Sequence, residues 1–175
     1  MPDGVARDGV SGRRAGWLAA LALAVGCAHS PLADIDPSAL SLEDTQGARV
    51  RLSAYAGEVV VVSFFATWCF FCLGDIPRLE ALQESRGKDG LQVIAIGLDR
   101  EGAAVLDPFR TYYHLSFPVL IGSDRFAHEG LPFAPVTMLP STYVIGRDGR
   151  VVEHWDGVIP DKLLGKVLDE ALAKH

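Results

Sequence analysis

From position 59 to 65 the chain reads Val-Val-Val-Val-Ser-Phe-Phe, apolar everywhere but Ser63. A strand wetted on one face alternates polar and apolar residues, whereas one covered on both faces is apolar throughout. The run therefore predicts a buried central strand. Beyond it the apolar positions change step to Leu73, Ile76, Leu79 and Leu82. That spacing of three predicts a helix over 69–85, ended by the glycines at 87 and 90 and bent by Pro77 inside it. Residues 91–98 predict a second buried strand ending at Asp99. Residues 102–115 predict a helix, broken or restarted at Asp107-Pro108, where Asp would cap and Pro would be the first helical residue. A short extended piece over 117–121 and an irregular stretch over 130–139 follow. Residues 141–145 and 151–155 flank Arg147-Asp148-Gly149, an antiparallel hairpin pattern. Pro160-Asp161 opens a last helix, with Leu163, Leu164, Val167, Leu168 and Leu172 expected inward. Upstream, 42–52 predicts a hairpin turning at Asp44-Thr45-Gln46-Gly47, and 53–57 a short helical or turn segment. The order of elements predicts an α/β fold, a mixed central sheet with helices on both faces.

Composition adds limits. The chain has 175 residues, 49% hydrophobic and 22% charged, which suits one globular domain with a short appendage. The formal net charge is −6 and the only basic run is Arg13-Arg14, so nucleic-acid binding is not expected. Arg7, Arg13 and Arg14 precede ten apolar or small residues, 17–26. That is the layout of a signal peptide and is too short for a membrane-spanning helix, which needs about 20 residues. Leu23-Ala24-Val25-Gly26-Cys27 is similar to a bacterial lipobox, which makes Cys27 the expected lipidation site. Cleavage near Ala33 as an ordinary signal peptide is the alternative, and Arg13-Arg14 also fits, less well, a twin-arginine signal. The expected organisation is a signal peptide over 1–26, a lipid anchor and tether over 27–39, and a domain over 40–175. The expected location is periplasmic or otherwise extracytoplasmic, membrane-anchored as a lipoprotein.

Cys69 and Cys72, spaced C-x-x-C, stand where the buried strand hands over to the helix. Amides at a helix N-terminus are unpaired and partly positive, so a thiolate there is stabilised. The chemistry this suggests is thiol–disulfide exchange, with an exposed Cys69 attacking and a more buried Cys72 resolving. A structural zinc site is the competing reading. It needs four ligands, and the sequence offers only Cys27 far upstream and five histidines with no H-x3-5-H pair. No metal and no cofactor are therefore expected. Asp75, three residues after Cys72 on the predicted helix, neighbours it. It is either the first-turn acid of a helix or a proton acceptor. Trp68 is expected at the apolar rim beside Cys69, with core packing as the alternative. Asp99 and the histidines are given no chemistry.

Taken together, these stretches resemble the thioredoxin-like family, and within it the TlpA/ResA-like branch of exported, membrane-tethered thiol–disulfide oxidoreductases. Asp44 through Ser53 is similar to that branch's N-terminal hairpin. Residues 59–72 carry its F-x-A-x-W-C-x-x-C signature, Asp75-Ile76-Pro77 its acidic-x-Pro pattern, and 139–145 with Asp148-Gly149 its cis-proline loop and following hairpin. The likeness covers about 40–172. It implies a three-layer α/β/α sandwich with an N-terminal β-hairpin. It also implies a redox-active Cys69–Cys72 disulfide, Asp75 as proton acceptor for Cys72, and a cis Pro140. Leu139 and Pro140, with Trp68, would then bind an extended substrate. Two departures stand out: Phe70-Phe71 lies between the cysteines where proline is common at the second position, and Leu139, not glycine, precedes Pro140.

The function this implies is reduction of disulfides in partner proteins, of the cytochrome c or oxidase maturation type. It calls for a membrane thiol electron donor, and a monomer is expected. Two other classes compete. A peroxiredoxin-type thiol peroxidase would carry P-x-x-x-T-x-x-C, but Thr67 stands two residues before Cys69 instead of three. A copper chaperone of this fold would carry C-x-x-x-C, one residue longer than the spacing here.

Overall fold

In the computed structural model, residues 36–122, 132–133 and 135–174 are described. The expected signal peptide, Cys27, the tether up to residue 35 and positions 130, 131 and 134 of the irregular stretch before Pro140 lie outside them.

Five strands form the main sheet in the order β5-β4-β3-β6-β7: β3 Val59–Phe65, β4 Leu91–Gly97, β5 Val119–Ile121, β6 Ser141–Ile145 and β7 Val151–Asp156. β3 runs parallel to β4 in the register Val59↔Leu91 to Phe65↔Gly97. On its other side it runs antiparallel to β6, with Phe64 opposite Ser141. The apolar run of β3 is thus flanked by strands on both sides and covered above and below, and every residue in it is buried. Helix α1, Phe70–Arg86, carries the chain from β3 to β4, as a parallel pair requires. Helix α2, Ala103–Tyr112, and helix α3, Asp161–Leu172, complete the α-helices among the described residues.

Side chains alternate between two buried clusters, as the period of a strand demands. Val59, Val61 and Phe65 join Ile76 and Leu79 of α1, Leu106 of α2, and Leu164, Leu168 and Ala171 of α3. Val60, Val62 and Phe64 join Leu40, Leu52, Phe133 and Tyr143 on the opposite face.

The N-terminal hairpin is a separate two-stranded sheet, β1 Ser41–Glu43 and β2 Arg49–Arg51. Its turn is held by the Asp44 carboxylate, which accepts from the amides of Gln46 (2.9 Å) and Ala48 (2.8 Å). Gly47 takes φ +83°, a region where a side chain would be strained. The Thr45 amide donates to the Val119 carbonyl at 3.1 Å, so the hairpin lies against the β5 edge.

Two expectations need correction. α2 is not broken at Asp107-Pro108 but runs through Pro108. Asp107 does not cap a helix; it accepts from Thr45 Oγ1 and from Arg110 instead. Packing explains the continuity, since the Phe109 ring packs, tilted, against Phe65 at 5.3 Å and against Tyr113 at 4.6 Å. In α3 Leu164, Leu168 and Ala171 are buried and Val167 and Leu172 pack against the same cluster as expected, but Leu163 faces solvent. A helix turns about 100° per residue, so adjacent leucines cannot both face the core centre.

Candidate active site

The parallel register brings the C-terminal ends of β3 and β4 side by side, the edge where open α/β sheets place their sites. The Leu98 amide donates to the Phe65 carbonyl at 2.9 Å. Asp99, the residue after it, is buried, and its carboxylate accepts from the Thr67 amide (3.0 and 3.1 Å) and from Thr67 Oγ1 (2.6 Å). This clamp fixes the turn that delivers Cys69 to the start of α1. Sequence reasoning missed it because the partners lie 32 residues apart. Losing the carboxylate leaves donors of Thr67 without an acceptor, at about 1–3 kcal/mol for a buried group. Asp99→Ala is therefore expected to lower the urea midpoint by that order. An unchanged midpoint would mean that the clamp contributes nothing to stability.

Cys69 is the N-cap of α1 and forms a disulfide with Cys72. Its Sγ accepts from the Cys72 amide at 3.2 Å, one of the unpaired donors of the first turn. Cys69 is 7% exposed and Cys72 1%. The expectation of an openly exposed Cys69 is thus corrected: bonded to Cys72 and capped by an amide, it reaches solvent only through a groove.

That groove, about 720 Å³, is lined by Trp68, Cys69, Phe70 and Phe71 on one wall. Met138 and Leu139 line the other wall, with Arg100 and Glu101 at one end. Trp68, Phe70, Phe71 and Met138 are all more than half exposed, with Phe70 at 79%. Leu139 arrives there because Ser141 pairs with Phe64, which puts the residues before Ser141 beside the end of β3. The Leu139–Pro140 bond is cis, and the Pro140 carbonyl accepts from the Gly157 amide at 2.7 Å.

Asp75 lies on the other side of the Phe70-Phe71 ridge. It is buried, and its Oδ1 is 3.0 Å from Arg78 Nη2. A second groove, about 640 Å³, opens beside it between α1 and the start of α3. Burial pushes the Asp75 carboxyl above the usual carboxylate range; Arg78 pulls it back and Asp161 raises it further. In this disulfide-bonded state the ionisation of Asp75 is thus set by burial and two charged neighbours.

Comparison with known proteins points one way. Residues 36–154 match the AhpC/TSA family. The chain is 29% identical to the thiol-disulfide oxidoreductase ResA of Bacillus subtilis, over 70% of this chain and 66% of that one, just under two thirds of its length. A ResA of Bacillus cereus is 30% identical over 74% of this chain and 68% of its own. Among solved structures, a Chlorobium tepidum protein assigned to the thiol:disulfide interchange proteins of DsbE type superposes with a TM-score of 0.70. It is 26% identical, and the match covers 81% of this chain and 97% of that one.

Proposed function

We propose, since the chain belongs to the AhpC/TSA family and its relatives include ResA-type thiol-disulfide oxidoreductases, that Cys69 and Cys72 are the redox couple of an extracytoplasmic enzyme that reduces disulfides in partner proteins. The fold is thioredoxin-like, a mixed sheet flanked by helices with an N-terminal hairpin. One observation carries the functional reading: the Cys69–Cys72 disulfide sits at a helix N-terminus on the wall of an open apolar groove.

In the reduced enzyme, the Cys69 thiolate attacks one sulfur of a substrate disulfide. A mixed disulfide forms and the first substrate thiolate leaves. Asp75 accepts the Cys72 proton, and the Cys72 thiolate attacks Cys69 Sγ. The Cys69–Cys72 bond closes, the second substrate thiolate leaves, and two electrons have passed to the substrate. Trp68 and Leu139 flank the reacting sulfur, and an extended substrate segment laid along Leu139-Pro140 is held by backbone pairing in the manner of an added strand. The reading includes a membrane thiol donor that restores the dithiol, and substrates of the cytochrome c or oxidase maturation type.

Insulin disulfide reduction, peroxide turnover and copper binding on one sample separate this reading from its rivals. Insulin reduction together with a Cys69–Cys72 potential near about −270 mV is expected; a potential near −120 mV would mark an oxidant and overturn the direction of electron flow. The location rests on Arg7, Arg13 and Arg14 ahead of the apolar 17–26, and the anchor on Gly26-Cys27. The mature protein is expected to partition into detergent with a lipid-modified Cys27 as its first residue. Mass spectrometry finding a water-soluble N-terminus beyond Cys27 would remove the anchor.

A further inference from the structure

Asp75 is not left alone with the thiol it would serve. Arg78, one turn along α1, reaches three acceptors with one guanidinium. Its Nη2 meets Asp75 Oδ1 at 3.0 Å, and its Nη1 meets Asp161 Oδ1 at 2.8 Å and donates to the Ile159 carbonyl. The two carboxylates are 86 residues apart in sequence and differ sharply in surroundings: the Asp75 side chain is 8% exposed and that of Asp161 83%. One guanidinium therefore joins a buried acid to a solvated one. The groove beside α1 is lined by all three residues, together with Gly74 and Pro160. It lies across the Phe70-Phe71 ridge from the groove that holds Cys69, since both phenylalanines line both grooves.

We infer that Arg78 and Asp161 are positioning residues whose opposed charges set the pH at which Asp75 takes up and gives back its proton, and that the groove between α1 and α3 is the route of that proton to solvent. The inference deepens the reading of Asp75 given above and rests on it for its catalytic meaning. During resolution the proton leaves Cys72 Sγ for an Asp75 oxygen as the Cys69–Cys72 bond forms and the substrate thiolate departs. Before the next turnover the proton passes from Asp75 to water in the second groove. Substrate fills the first groove and does not block the second, so chemistry and proton release are served by different faces of one helix turn.

The charges that face Asp75 are Arg78 from α1 and Asp161 from α3; β3, beneath α1, carries no ionisable side chain. Arg78 favours the ionised form of Asp75 and Asp161 disfavours it. Arg78→Met should thus move the protonation midpoint of Asp75 upward, and Asp161→Asn should move it downward. Arg78→Lys, which keeps the charge but not the planar fork that spans the three acceptors, should shift it upward less than Arg78→Met. Opposite signs are the diagnostic, because both changes break the same ion pair, and simple loosening of α1 from α3 would shift both variants the same way.

The midpoint is read directly by carbon-13 NMR of the Asp75 carboxyl in the oxidised full chain across pH. The same variants are then followed by single-turnover resolution of a mixed disulfide across pH. Shifts of opposite sign in the carboxyl titration support the inference; shifts of one sign, or none, overturn it. Asp161 is solvated, so Asp161→Asn keeps the test alive if Arg78→Met does not fold. If the carboxyl midpoints move as expected while the resolution profile stays in place, the pair tunes Asp75 but Asp75 does not serve Cys72. In that case the mechanistic reading fails, and the electrostatic one does not.

Discussion

Cys69→Ser is expected to abolish disulfide reductase activity, whereas Cys72→Ser is expected to accumulate a covalent enzyme–substrate adduct. The asymmetry follows from position. Cys69 lines the groove and its sulfur accepts an amide of the first helical turn, while Cys72 is sealed beneath it. An incoming sulfur meets Cys69 first. A serine hydroxyl there is a far weaker nucleophile than a thiolate and forms no stable bond to sulfur, so turnover should drop to background. Without Cys72 the first exchange still proceeds, but nothing inside the enzyme displaces the substrate. Non-reducing electrophoresis with mass spectrometry would show the adduct. Turnover retained by Cys69→Ser, or an adduct trapped on Cys72 in that variant, would reverse the two roles.

The second large effect concerns Asp75→Asn, which keeps shape but removes a proton acceptor. General-base assistance is worth about 10²–10⁴-fold. The resolving step should slow within that range while the first attack by Cys69 is nearly unchanged. Stopped-flow fluorescence of Trp68, on the groove wall, follows both steps. In the wild type the resolving rate should climb with pH through a midpoint above the ordinary aspartate range, because the carboxyl must be ionised to accept and burial holds it protonated. Wild-type rates for both steps at every pH would leave Asp75 as a structural acid only.

The same shift has a stability consequence of fixed sign. The folded carboxyl binds its proton more tightly than the unfolded one, which titrates near about 3.9. The contribution is fully present below that value and is lost as pH rises through the folded midpoint. Asp75→Asn should therefore gain on the wild type in urea midpoint as pH climbs from about 4 toward neutrality. A gap that does not change with pH would contradict the burial of an ionising Asp75.

The residues that could be read from sequence were those whose physics is local or periodic. Val59–Phe65 is apolar at nearly every position because it is covered on both faces, and its predicted bounds are those observed. The turn at Gly149 and the change to a spacing of three after Cys72 are likewise local. Pro108 misled because the rule against proline in a helix interior is local, whereas the packing of Phe109 against Phe65 across 44 positions is not. Asp99 gave no signal, since its work is done on Thr67, and Arg78 gave none, since its second carboxylate lies on the last helix. Beyond the spacings of three and four along one helix, charged residues have no sequence period that reveals their partner. They become legible only once the sheet order has brought distant segments together.

That sheet order also dictates a sequence of events. A chain is made from its N-terminus, and β3, α1 and β4 can pair as soon as about residue 97 has emerged. The other neighbour of β3 is β6, which begins at Ser141 and brings Leu139 with it as the far wall of the groove. Between the two lie more than forty residues of synthesis during which both cysteines exist and half of their enclosure does not. A nascent chain in that interval presents two thiols with no wall to select among sulfurs, so stray pairing with other chains belongs to that window. It closes when the C-terminal third docks along β3.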